Sequence, residues 1–139
     1  MNDEVEIRMA ADSVDWTVLK KDLADDDFDN GRTPEQLEAS FDNSFAVTFA
    51  WAGDRCIGTA RLLSDQVCNA YLVDVWTASS HRRREIAYRM IERLLECVPG
   101  QHVALFTEHA PELYSSLGFK EERIGMSRVV GEWLTGDQT

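Results

Sequence analysis

Lysine, cysteine and long apolar runs are all scarce in this chain, and each scarcity excludes something. Only three lysines stand against thirteen aspartates among 139 residues, and the formal net charge is −11. A surface so acidic repels phosphate backbones, so nucleic acid is not expected as a partner. Three cysteines, Cys56, Cys68 and Cys97, are odd in number and lack C-x-x-C spacing. That pattern predicts free thiols in a reducing, cytoplasmic setting rather than a disulfide framework or a cysteine nucleophile. The three histidines, at positions 81, 102 and 109, show no ligand spacing, so no metal is expected. No window reaches the roughly 18–20 apolar residues of a membrane span, so no membrane partner is expected. The first residues, MNDEVEIRM, lack the basic start and apolar core of a secretory signal. Internal repeats and low-complexity segments are absent as well.

What is present fits one globular domain over residues 1–139, with 44% apolar residues. The charge is uneven: residues 1–54 hold 14 acidic and 4 basic side chains, residues 55–139 hold 11 and 10. The second part is therefore nearly neutral. It also contains the most informative stretch, Ala70 to Ala87. Tyr71 to Trp76 is an apolar, β-branched run that reads as a buried strand. Thr77 to Ser80 is a small-polar turn, and Arg82, Arg83 and Arg84 lead into a helix with Ile86, Met90, Ile91, Leu94 and Leu95 on one face. A helix start offers unpaired backbone N–H groups and a positive dipole, which favour anions such as phosphates. Arginines beside it add to that preference, although a solvated basic turn would look the same in this stretch alone.

A second segment, His102 to Phe119, reads as a short strand (Val103 to Thr107), a brief helix and Gly118 as its C-cap. Together the two stretches resemble the GNAT superfamily of N-acetyltransferases. In that family an R/Q-x-x-G-x-G/A turn holds the pyrophosphate of acetyl-CoA, and a later A-x-x-x-Y-x-x-x-G-F segment carries a tyrosine near the thioester. Here the first is Arg82-Arg83-Arg84-Glu85-Ile86-Ala87 and the second runs from Ala110 through Tyr114 to Gly118-Phe119. The resemblance covers about residues 45 to 125. It implies an α/β fold of the α+β kind, a mixed, mostly antiparallel sheet flanked by helices in the order β-α-α-β-β-β-α-β-α-β.

The resemblance also implies roles. Acetyl-CoA would be the co-substrate and a small-molecule amine or a protein amino group the acceptor, attacked directly. The backbone of Val75, Trp76 and Thr77 would grip the pantetheine arm, and Arg82, Arg83, Arg84 and the amides of Glu85, Ile86, Ala87 and Tyr88 the pyrophosphate. Tyr114 would be the general acid. For the base two carboxylates stand open: Asp74 on the central strand, which could equally be an ion-pair partner, and Glu108 at the end of the next strand, which could equally be solvated. Members of the family often pair through their terminal strands, so a homodimer is compatible with the resemblance.

One departure keeps a second reading in view. The family's first glycine is Glu85 here, and a carboxylate would repel a pyrophosphate drawn to the same amides. The alternative is a non-catalytic GNAT-fold module that binds CoA weakly or not at all and acts through a protein partner.

The remaining elements follow from local pattern. Val5 to Met9 alternates like a half-exposed strand, and Ala11-Asp12-Ser13 offers caps for a helix from Val14 to Ala24 with Val14, Val18, Leu19 and Leu23 as candidates for its inner face. Thr33, Pro34 and Gln36 form a capping box for a second helix to about Asp42. In GNAT proteins the connector between these helices flanks the acceptor, so Asp27, Phe28 and Asp29 become candidate substrate-binding residues, against the alternative of a solvated acidic loop. Phe45 to Trp51 and Arg55 to Leu63 read as a hairpin, with Gly58 at a bulge or a close contact. Lys120 to Val130 is expected to add one or two terminal strands.

Overall fold

The computed structural model describes residues 4–82 and 84–134, and the side chain of Arg84 is not among the described atoms. The candidate Arg83 and the tail from Thr135 therefore lie outside the described residues. The chain runs β1 (Glu6–Arg8), α1 (Trp16–Asp25), α2 (Pro34–Asp42), β2 (Ala46–Ala52), β3 (Arg55–Ser64) and β4 (Asn69–Thr77). A single 3-10 turn, Ser79–His81, then leads to α3 (Arg84–Leu95), β5 (His102–Ala104) and α4 (Pro111–Ser116). The five strands form one sheet in sequence order. Neighbours are antiparallel except β4 and β5, which are parallel. No helix of the described residues is long and apolar enough to cross a membrane.

The sheet has an apolar layer on each side. Ile86, Met90, Ile91 and Leu94 of α3, all at most 1% exposed, pack with Ile57, Ala60, Leu62 and Leu72. At roughly 1.5–3 kcal/mol for each buried aliphatic side chain, this face is the larger source of stability. On the other side Leu19, Leu23, Leu37 and Phe41 of α1 and α2 meet Phe49, Trp51 and Trp76. Trp16, Phe41 and Phe49 touch there as an aromatic cluster, with ring centroids 5.4 to 6.1 Å apart.

Local chemistry explains the helix ends. Thr33 and Gln36 form the reciprocal capping box expected, with Pro34 at the first position. Helix α1 starts later than its sequence pattern suggests: Asp15, not Asp12 or Ser13, accepts the amides of Thr17 and Val18 at 3.1 Å. The shift leaves Val18 48% exposed, and Trp16 packs in its place against Phe41 and Phe49. After α4 the amides of Gly118 and Phe119 bond back to the carbonyls of Ser115 and Tyr114, with Gly118 at φ 92° and the Tyr114 and Phe119 rings in contact. This is the Schellman closure, and only glycine takes its left-handed position without cost.

The expected strands over Lys120 to Val130 do not form: the described residues beyond α4 contain no strand. Four charged residues, Lys120 to Arg123, open the segment. Ile124 then takes φ 55°, which breaks any extended run. With β5 three residues long, there is also little edge to extend. The strand that does form, β5, ends at Ala104 rather than Thr107.

Gly58 marks a close contact and lies next to a bulge. A Cβ there would come within 3.0 Å of the Ala50 Cβ and Met90 Cε and 3.2 Å of the Trp76 carbonyl. Replacement of Gly58 by alanine is expected to cost about 1–3 kcal/mol in denaturant unfolding, because backbone and sheet must move apart. Unchanged stability would show that the layers are looser than they look.

Candidate active site

The site begins with a mismatch of strand lengths. β4 has nine residues, and β5 pairs only with Asn69, Ala70 and Tyr71. Among the described residues, the β5 side of the central strand has no strand partner from Leu72 to Thr77. Backbone polar groups require partners, and on that side no described strand supplies them; the Thr77 carbonyl accepts from Arg82 Nε instead.

A bulge lies at the middle of this free edge. Thr59 faces Trp76 and Arg61 faces Val73, so Asp74 and Val75 together stand opposite Ala60. Asp74 takes φ 57°, a left-handed conformation inside a strand that costs about 1–2 kcal/mol. Alternation breaks accordingly: Leu72 and Val75, three residues apart, both pack on the α3 side, whereas Trp76 packs against α1 and α2.

The bulge is held by charge. Arg32 grips both Asp74 carboxylate oxygens, at 2.9 and 3.1 Å, and Arg61 Nε donates to the same group at 2.6 Å. The side chains of Asp74 and Arg32 are 5% and 7% exposed. Burial alone would push the Asp74 carboxyl up, but the two arginines outweigh it and hold the group below its ordinary value. With its oxygens engaged by two guanidinium groups, Asp74 is a poor proton acceptor, and the geometry favours its ion-pair alternative over the role of base. Glu108, the other candidate, is exposed, its carboxylate 3.7 Å from His109.

The structure brings several of the remaining candidates together. Tyr114, Val75, Ile86, Ala87 and Tyr88 all belong to the apolar cluster on the α3 side of the sheet. Burial raises the Tyr114 phenol above its ordinary value, which keeps it protonated at neutral pH. Ile86 and Ala87 are buried and Trp76 is 2% exposed, so the side chains of these three belong to the core rather than to an open surface. Arg82 is exposed but folds back along the surface, donating to the Thr77 carbonyl at 2.8 Å and lying 3.6 Å from Asp26. Glu85 is exposed in the first turn of α3.

The acidic connector is not a free cluster. Asp29 bonds Lys20 at 2.5 Å and the Gly31 amide, and Phe28 packs at the edge of the core with Trp76. Of the three candidates only Asp27 is exposed, at φ 57°. The pattern of the sequence did not single out Asp26, Arg32 or Arg61. Asp26 accepts from the Trp76 indole at 2.9 Å and the Ser79 amide at 3.2 Å, tying the connector to the end of β4. One signal for Arg61 did exist: a charged residue at an alternate position inside the apolar run of β3. The cysteines are free. Burial pushes the Cys56 thiol up to about 12, so it carries no thiolate at neutral pH.

A parallel β4–β5 pair that parts after Tyr71, with a bulge at Asp74 and Val75 further along the central strand, matches a known architecture. The model of the acetyltransferase (GNAT) family matches residues 9–119. The chain belongs to the GNAT family. Its fold is shared with a protein of that family from Xanthomonas campestris pv. campestris, at TM-score 0.78 and 22% identity over 91% of this chain and 94% of that one. A Deinococcus radiodurans protein described as an acetyltransferase aligns at TM-score 0.77 and 20% identity, covering 89% and 87%. Glucosamine-6-phosphate N-acetyltransferase from Arabidopsis thaliana aligns at TM-score 0.72 and 15% identity, covering 91% and 98%. No curated protein matches the chain. The family is one of acetyl transfer with acetyl-CoA as co-substrate, and the GNAT fold expected from the sequence is the one observed.

The buried carboxylate makes stability depend on pH in a defined direction. The folded Asp74 value lies below the unfolded one, so its contribution is fully present above the ordinary carboxylate range and is lost as pH falls through the folded value. Asp26 and Asp29 are lowered as well, with the same sign. Circular dichroism should show stability level between about pH 5 and 7 and falling below about pH 4. Undiminished stability at pH 2 would contradict the ion-pair geometry.

Proposed function

We propose that this GNAT protein is an N-acetyltransferase that moves an acetyl group from acetyl-CoA to a primary amine by direct attack. The observation that carries the reading is the unpartnered edge of β4 from Leu72 to Thr77, beside the start of α3. Its residues fit the co-substrate. Backbone groups of Val75, Trp76 and Thr77 can pair an extended amide arm, and the first amides of α3, Glu85 to Tyr88, preceded in the sequence by Arg82, Arg83 and Arg84, can take a pyrophosphate. The exposure of Glu85 lets its carboxylate turn into water, where its repulsion of phosphate is screened.

When bound, acetyl-CoA supplies a thioester that is already activated for acyl transfer. The chain's part is then positioning and proton movement. Val75 N–H donates to the carbonyl oxygen where negative charge develops. Tyr114 gives its phenolic proton to the sulfur as the carbon–sulfur bond breaks and the new carbon–nitrogen bond forms. Glu108, whose oxygens are not tied up by arginines, takes the proton of the amine through water. The acceptor enters from the connector side, where Asp27 is exposed and a groove of about 590 Å³ beside Arg32 carries Glu35. Those carboxylates favour a cationic amine.

The test is release of free CoA from acetyl-CoA in the presence of a panel of amines, followed by mass detection of the acetylated product. Turnover is expected with cationic amines, and Tyr114→Phe should lower kcat by about 100-fold or more while leaving acetyl-CoA binding in place. Unchanged turnover in Tyr114→Phe would remove the acid role. Glu85→Gly should tighten acetyl-CoA binding in calorimetry by no more than about threefold, because the carboxylate is screened by solvent. A gain of about 100-fold would mean that Glu85 blocks the phosphate site and would favour the reading of a weak-binding module.

A further inference from the structure

The buried charges at Asp74 serve no proton-transfer step in this scheme, yet they surround the one strained residue of the free edge. Thr59 Oγ1 donates to the Asp74 carbonyl oxygen at 2.9 Å, so that carbonyl is directed toward β3. In a trans peptide the N–H of the following residue points the opposite way. Val75 N–H is therefore directed away from β3, toward the open edge. The left-handed turn at Asp74 is what gives this peptide its orientation, and such a conformation persists only where its surroundings hold it.

Those surroundings reach the other side of the site. Arg32 lies in the connector between α1 and α2, and its carbonyl accepts from Lys20 Nζ at 2.6 Å, while its Nε donates to the Asp29 carbonyl at 3.1 Å. Arg61, from β3, is 3.3 to 3.4 Å from Ser44 Oγ and the Ser40 carbonyl at the end of α2. The same carboxylate thus fixes a peptide of the donor edge and the connector that flanks the acceptor.

We infer that Asp74 and Arg32 form a positioning pair for acetyl transfer: the bidentate contact holds the β4 bulge that aims Val75 N–H at the open edge, and registers the connector against it. The inference rests on the acetyl-transfer reading and assigns Asp74 the opposite part from a base. Arg32 is the informative position, because its removal has opposite effects in the two roles. A base relieved of its strongest counter-ion becomes a better proton acceptor, whereas a positioning pair relieved of one member loses its geometry. Arg61 remains on Asp74 in either case, so the carboxylate keeps one counter-ion.

The experiment compares Arg32→Gln and Arg32→Lys with the unaltered protein by steady-state kinetics and by NMR couplings that report the Asp74 φ angle. Arg32→Gln is expected to lower kcat by about 10- to 100-fold, the scale of a small misplacement of reacting groups, with less effect on acetyl-CoA binding. Arg32→Lys, which keeps the charge but not the fork, should recover only part. In Arg32→Gln the left-handed Asp74 conformation should give way to an ordinary strand angle. Unchanged or increased kcat in folded Arg32→Gln overturns the inference, as does full recovery of kcat by lysine. If the unaltered protein acetylates no amine, the acetyl-transfer reading fails while the angle still decides the bulge: a left-handed Asp74 in both variants overturns the pair's role, and its loss in Arg32→Gln supports it. Should Arg32→Gln not fold, the angle and kcat of Arg32→Lys decide, and values equal to those of the unaltered protein overturn the inference.

Discussion

One buried carboxylate organises the open side of this protein. Asp74 sits at a left-handed position in the central strand with two arginines on it, one from the connector between the first helices and one from β3. A buried ion pair of this kind adds little stability relative to an apolar core, but removal of one partner is costly, on the order of 3–5 kcal/mol. Its effect is to specify geometry: a strand that would otherwise run straight is bulged at one peptide, and a loop is fixed against that peptide. The rest of the site is arranged around this constraint.

The second constraint is negative. Since β5 stops at Ala104 after pairing with three residues, most of β4 lacks a neighbour on one side. An unpartnered edge is normally a liability for aggregation. On the acetyl-transfer reading we propose, the backbone of that edge, rather than any side chain, is the recognition surface. This explains how GNAT relatives at 15–22% identity share the fold at TM-scores of 0.72–0.78: backbone hydrogen bonding needs a shape, and only a few side chains are required to hold it.

Much of this was legible in the sequence, for identifiable reasons. The 3.6-residue spacing of Ile86, Met90, Ile91 and Leu94 placed the buried face of α3, the Thr33–Gln36 box placed the start of α2, and Gly118 marked the end of α4. These are local rules with strong residue preferences. The bulge was not legible, because nothing in Val73-Asp74-Val75 announces a positive φ, and a strict two-residue alternation cannot represent it. The partner of Asp74 lies 42 positions away in Arg32, a tertiary pairing that no local pattern encodes. The terminal strands expected over Lys120 to Val130 failed for a related reason. Apolar residues such as Ile124, Met126 and Val130 give strand propensity, but propensity without an edge to join leaves them exposed.

We propose that the free edge of β4 and the start of α3 together form the acetyl-CoA site. Titration of the labelled protein with acetyl-CoA, followed through backbone amide signals by NMR, tests it most directly. The account predicts that the signals of Val75, Thr77 and the first turn of α3, Glu85 to Tyr88, move together and saturate at one ligand per chain. Saturable shifts confined elsewhere, or no shifts at millimolar acetyl-CoA, would contradict it.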